Sequence, residues 1–175
     1  HLQDNHLNVK LGVGGIREIE FFVQTFQLLY GGLRTELRQT NTLKALDAIE
    51  QDGLIPNEDA LSLRQAYLFL RRVEHRLQMR EEQQTHTIPS QAEAQRHLAR
   101  CMGFNDIDAE QARQQFLGRL KDVMGSVRVI FSSLFSSKHL EVEAALRNSS
   151  RIQNFSPDEK QFLQTLALNL APYLN

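Results

Sequence analysis

The sequence predicts an all-α protein, a helical bundle of five to seven helices behind a short extended lead-in. Three observations carry this reading. Apolar residues recur every three or four positions through most of the chain, the period of one helical face. Helix-start signals of the capping-box kind stand before several of those stretches, and glycines close others. Beyond the first ten residues, no run alternates apolar and polar side chains as a half-buried strand does.

Taken in order, "LNVKL" at Leu7 to Leu11 alternates and reads as a short strand or extended lead-in, broken by Gly12, Gly14 and Gly15. From Ile16 to Tyr30 one face carries Ile16, Ile19, Val23, Phe26 and Tyr30. Phe21, Phe22, Leu28 and Leu29 fill most of the rest, so this helix is expected to be buried on nearly every side. Gly31 and Gly32 end it. A second helix, about Thr42 to Gln51, carries Leu43, Leu46 and Ile49 and stops at Gly53. A third starts near Asn57, with Glu58 and Asp59 in its first turn, and runs to about Glu82. Its stripe is Leu63, Ala66, Tyr67, Leu70, Val73 and Leu77. Leu68, Phe69 and Met79 lie on a second side and imply neighbours there too.

"SQAE", with Ser90 and Glu93, is a capping box for a fourth helix that stops at Gly103. Asp108 and Gln111 repeat the signal for a fifth, whose stripe is Phe116, Leu120, Val123, Val127, Ile130 and Leu134. That helix spans roughly 28 residues, about 40 Å. Gly118 and Gly125 on it either loosen it or admit a close partner helix. "SSLFSSK" weakens the pattern and reads as a joint, followed by a short helix at about Leu140 to Arg147. "SPDE" then opens a last helix through Phe162, Leu163, Leu166 and Leu170.

At 175 residues, the chain is the size of one ordinary domain with a short extension. Its formal charge of −1 argues against a phosphate-neutralising footprint and hence against a nucleic-acid partner. One cysteine, Cys101, forms no internal disulfide, which fits a reducing compartment. No apolar run is long enough to cross a bilayer, so no membrane partner is expected and a cytoplasmic location is. The first residues contain no initiator methionine and the last stop inside an apolar pattern, so the chain is expected to be a piece of a larger protein.

Three features could carry chemistry. The turn Gly12-Val-Gly14-Gly15-Ile-Arg17 enters a helix, where N–H groups attract anions. It is either a phosphate cradle or a tight turn with close backbone packing. It matches neither the dinucleotide fingerprint nor the P-loop. Arg17, Glu20, Gln24 and Gln27 fall on one strip of the first helix. They are either an internal network that holds the bundle in register or, with Glu18, a face turned to a nucleotide or metal site. In "LFLRRVEHRLQ", Arg72, Arg76 and Arg80 are one turn apart, a solvated face rather than an RNA contact given the nearby glutamates. Glu74 lies on the core stripe of that helix and is expected to be buried and held by Arg71. His97 and Cys101 are four apart but make no zinc site by themselves, and Cys101 reads as a core thiol. His75 and His86 have no evident metal partners.

"VKLGVGGIREIEFFVQTFQLLYGG", "AYLFLRRVEHRLQ" and "EEQQTHTIP" together closely resemble the bifunctional glutamine synthetase adenylyltransferase/adenylyl-removing enzymes, from about Asn8 to Phe135. That family has two nucleotidyltransferase halves, each followed by a helical domain. Gly-Gly-Ile-Arg-Glu-Ile-Glu-Phe is similar to the first half, which by resemblance removes AMP from glutamine synthetase by phosphorolysis. The second half, which attaches AMP from ATP, tends towards Gly-Gly-Leu-Val-Asp. The family's Gly-Ser turn followed by a magnesium-binding Asp-x-Asp pair does not occur in this sequence, where Gly125-Ser126 sits on a long helix and is followed by no such acidic pair.

The resemblance therefore implies the helical domain after the first catalytic domain, with no catalytic residue, metal or cofactor of its own. Residues 1–15 would be a junction strand and glycine turn, 16–137 the bundle, and 138–175 an extension towards the next domain. Lys10, Gly14, Gly15, Arg17, Glu18 and Glu20 would form the rim of the active site, and Gln24, Gln27, Glu74 and Arg71 a structural network. Mg²⁺ and ATP or ADP would belong to the parent enzyme. Its partners would be glutamine synthetase, a PII signalling protein and the adjoining nucleotidyltransferase domains. The competing expectation is an interaction module that docks the catalytic halves or binds a signalling protein and takes no part in the chemistry.

Overall fold

The structure, a computed structural model, describes residues 7–81, 85–105 and 108–147, with side chains described except at 80, 81 and 134–147. Its helices are α1 (Ile16–Tyr30), α2 (Thr42–Gln51), α3 (Asn57–Glu81), α4 (Ala92–Cys101) and α5 (Ala109–Arg147), with a 3-10 turn at Thr35–Leu37 between the first two. The all-α class is the one the periodicity predicts, and among the described residues there is no sheet. The lead-in makes one antiparallel bridge, Asn8 to Thr87, rather than a strand. Residues 156–170, where a last helix is expected, lie outside the described residues. The chain divides into two compact units, His1–Phe131 and Ser132–Asn175. In the second, the described residues are the end of α5, 132–147.

Within the first unit, α1, α2 and α3 pack against one another pairwise, and α4 packs on α3. The core gathers Ile16, Ile19 and Phe26 of α1, Leu46 and Ile49 of α2, Leu63, Leu70 and Val73 of α3, and Phe116 and Leu120 of α5. Burying such side chains contributes about 1.5–3 kcal/mol each before entropy is subtracted. Asn41 caps α2, its Oδ1 accepting from the N–H groups of Leu43 at 3.0 Å and Lys44 at 3.1 Å. Phe104 meets Phe116 edge to face at 5.9 Å, which ties the end of α4 to α5.

Five expectations are corrected. First, α1 is not buried all round: Leu28 is 59% and Leu29 41% exposed, because its last turns are covered on one side only. Second, Leu68 and Met79 on the far side of α3 are exposed rather than packed. Third, the Ser90–Glu93 box does not form. α4 begins after Gln91, one residue later than the box requires, without a side-chain cap. Glu93 turns to Arg96 instead, at 3.4 Å. Fourth, residues 140–147 are not a separate short helix but belong to α5, which runs 39 residues, while the division between the two units falls at Ser132, where the joint is expected. No glycine or proline interrupts it after Gly125. A helical serine need not break a helix, as Ser126 shows by donating to the Asp122 carbonyl at 3.0 Å. Fifth, Cys101 is exposed. The inner side of α4 is Ala94, Leu98 and Ala99, which leaves the thiol outside, 3.5 Å from His97 Nε2.

Candidate functional site

The glycine turn between the lead-in and α1 is built by its own backbone. Asn8 Oδ1 accepts from the N–H groups of Lys10 at 3.0 Å and Leu11 at 2.7 Å, a local Asx turn. The Gly12 N–H donates to the Asn8 carbonyl and the Gly15 N–H to the Gly12 carbonyl, both at 2.9 Å. The first N–H groups of α1, those of Ile16 and Arg17, donate to the carbonyls of Val9 and Lys10 at 3.0 and 3.1 Å. Lead-in carbonyls thus occupy the place of a side-chain cap, and N–H groups that a phosphate would need are committed within the chain.

Two of these glycines are required by close approach. Gly14 sits at φ +73°, and a Cβ on it would fall 1.9 Å from the Met124 carbonyl oxygen of α5. On Gly15, a Cβ would stand 2.8 Å from the carbonyl oxygens of Gly12 and Lys10. The turn therefore lies directly beneath α5, held from above by helix backbone and from below by its own hydrogen bonds. On one side of it, Glu18 meets Arg128 of α5 at 3.2 Å. Burial raises the Glu18 carboxyl pKa above its ordinary value, opposed by the Gly14 backbone N–H and by Arg128.

On the other side lies a charge cluster assembled from three separate stretches of chain. Glu74 of α3 is only 3% exposed. Arg71 Nη1 donates to its Oε2 at 2.6 Å. Lys10 Nζ stands 3.3 Å and His86 Nδ1 3.1 Å from its Oε1. The bridge beside it fixes the two backbones: the Val9 N–H donates to the His86 carbonyl at 2.9 Å, and the Ile88 N–H to the Leu7 carbonyl at 2.8 Å. Arg71 also lies 6.0 Å over the Tyr67 ring, and the Tyr67 hydroxyl reaches Glu20 Oε1 at 3.5 Å.

The strip on α1 therefore serves several ends. Arg17 and Gln24 face solvent, and Arg17 has no ion pair among the described residues. Glu20 turns to Tyr67. Gln27 Nε2 donates to the carbonyls of Leu37 at 2.7 Å and Gln39 at 2.8 Å, clamping the loop after α1. The structure brings Lys10, Arg71 and Glu74 together and sends Glu18 elsewhere. Sequence reasoning missed His86, Tyr67 and Arg128 as partners. His86 lies inside the quoted stretch "EEQQTHTIP", the one signal that singles it out. Arg128 had none, because its partner is 110 positions away. Arg72 and Arg76 are exposed, as a solvated face requires.

Among the described residues, no three His, Cys, Asp or Glu side chains come together to hold a metal ion. None of the described helices is long and apolar enough to cross a membrane. The arrangement offers instead a fixed turn, an uncompensated Arg17 at its outer edge, and a buried carboxylate that ties the turn to α3.

The family model described as GlnD PII-uridylyltransferase matches residues 2–135. Several relatives are described as bifunctional glutamine synthetase adenylyltransferase/adenylyl-removing enzymes. That of Xanthobacter autotrophicus is 46% identical over 128 residues, 73% of this chain and 12% of the relative. The Hahella chejuensis protein is 50% identical over 97 residues, 55% of this chain and 10% of its own length. The Alteromonas mediterranea protein is 34% identical over 167 residues, 94% of this chain and 16% of its own. The chain thus spans between 10% and 16% of the length of these relatives. It belongs to the GlnD PII-uridylyltransferase family, and within that family it resembles the bifunctional adenylyltransferase/adenylyl-removing enzymes of glutamine synthetase.

Proposed function

We propose that this chain is the helical domain that follows the first nucleotidyltransferase domain of an enzyme that adds and removes AMP on glutamine synthetase. The observation that carries the reading is the similarity over 128 residues to relatives so described, of which the chain matches 12%. In this reading, residues 1–15 are the junction, 16–137 the bundle and 138–175 an extension towards the second half. The glycine turn braces the edge of the catalytic domain, and Arg17 extends from it towards the phosphates of the reaction.

In phosphoryl and adenylyl transfer the protein chiefly positions reactants and stabilises developing negative charge. An arginine whose backbone is fixed by the turn suits that task, since its guanidinium stays charged and can grip two oxygens at once. The described residues do not fit a magnesium site: Glu18 is engaged by Arg128 and Glu20 by Tyr67. In this reading magnesium and ATP or ADP belong to neighbouring domains, and the chain by itself is inactive. A cytoplasmic enzyme with glutamine synthetase as substrate and a PII protein as regulator completes the reading.

A second reading is an interaction module. It is favoured by one observation: the glycine turn's N–H groups and the Glu20 and Gln27 side chains are engaged inside the chain. Substituting Arg17→Ala in the full-length protein separates the two. Under the first reading, the formation of ADP from adenylylated glutamine synthetase and inorganic phosphate falls about 100-fold or more, the range for one charge-stabilising group, with an unchanged melting temperature. An unchanged rate with altered binding of a partner protein would favour the module.

A further inference from the structure

Glu74 is an expensive way to fill a core position. A carboxylate taken out of water must be compensated, and a buried ion cluster is weak evidence for stability, because apolar side chains of similar volume often serve as well or better. This cluster is not even optimised for bonding. Oε1 makes two charge contacts, to Lys10 and His86, yet no aligned hydrogen bond, and His86 Nδ1 is likewise without one. What the cluster does achieve is placement. It joins the lead-in before α1, the body of α3 and the segment after α3 at one point, where the Asn8 to Thr87 bridge also lies. Lys10 is the link outward: its carbonyl accepts the Arg17 N–H at 3.1 Å.

We infer that Glu74 is a positioning residue for the neighbouring reaction, setting the turn and Arg17 through Lys10 rather than holding the bundle together. This rests on the reading given above, in which the turn borders the phosphorolytic catalytic domain. Lys10 and Arg71 side chains are 32% and 48% exposed, so both can turn to water if the carboxylate is lost. The fold therefore tolerates an apolar residue at this site, and the reaction does not.

The test uses the full-length protein carrying Glu74→Leu, Lys10→Met or Glu74→Asp, assayed in both directions. Removal is followed as ADP formed from adenylylated glutamine synthetase and inorganic phosphate, and attachment as AMP incorporated from ATP. Glu74→Leu and Lys10→Met should each lower kcat of removal about 100-fold, the scale of a misplacement of about 1 Å. KM for the adenylylated protein and the melting temperature should stay as they were. Glu74→Asp should recover part of the rate, and the double variant should be no worse than either single one. Removal that persists at its original rate in Glu74→Leu overturns the inference. So does a loss of both activities in proportion to lost folding. If attachment alone falls, the positioning role stands and the assignment to the removing half is overturned.

Discussion

Two charge clusters on α3 use the same ingredients to different ends. Near its start, Arg64 reaches Asp47 Oδ1 through Nε at 3.1 Å and Glu50 Oε2 at 3.0 Å, linking two consecutive helices at the surface. Further along, Glu74 draws Lys10, Arg71 and His86 to a buried carboxylate. The first cluster is local in sequence and open to water, where ion pairs contribute little. The second closes a span of 76 positions between Lys10 and His86 around a carboxylate that is itself only 3% exposed. A charge pair's role is set by what it spans and how dry it is, not by how many bonds it makes.

That contrast can be broken most severely from beneath. Gly14→Val would place a branched side chain at φ +73° and against the Met124 carbonyl, so the turn could not seat under α5. The expected loss is upwards of about 4 kcal/mol, read as a lowered urea midpoint or failure to fold. The comparison itself is sharpened by truncating each cluster. Glu74→Ala, unlike a volume-preserving Glu74→Leu, leaves a cavity and should destabilise by about 2–3 kcal/mol. Arg64→Ala should change the same denaturation curve by less than about 1 kcal/mol.

A smaller effect of opposite sign is expected on α5. A Cβ on Gly118 meets nothing within 4 Å. Gly118→Ala should stabilise by about 0.5–1 kcal/mol in thermal or urea unfolding, since glycine inside a helix is unfavourable. The mildest test concerns pH. Burial raises the Glu18 pKa in the folded state, so Glu18 favours folding when protonated, and that contribution disappears as pH rises from 4.5 through the raised value. Relative to the native chain, Glu18→Gln should therefore gain stability as pH climbs through that window. A difference between the two chains that does not vary with pH would contradict it.

The helices were legible because their signals are local. Ile16–Tyr30 and Thr42–Gln51 are bounded by glycines and by an Asn41 cap, all within a few residues of the ends. Glu74 was legible as a buried acid for the same reason: it stands between Leu70 and Leu77 on one helical stripe, with Arg71 three positions away. The serine cluster at residues 132–137 stands at the boundary between the two units but does not end α5, because a helical serine can bond back to its own helix. The burial of α1 was overestimated since periodicity tells which face is apolar, not whether a neighbour covers it along its whole length.

The sequence by itself determined the all-α class, the first three helices and the presence of a glycine turn at the entry to α1. These follow from backbone hydrogen bonding and helical period, which act over a few residues. Only the tertiary structure decided that Gly14 lies against Met124, that Glu18 meets Arg128 and that Lys10 and His86 share Glu74. The first two join residues 110 positions apart and Lys10 lies 64 positions from Glu74, whereas His86 lies 12 positions from it, across the end of α3. Such contacts carry no local signature, because they form only when packed apolar faces bring distant polar groups to one point and the absence of water there leaves them no other partner.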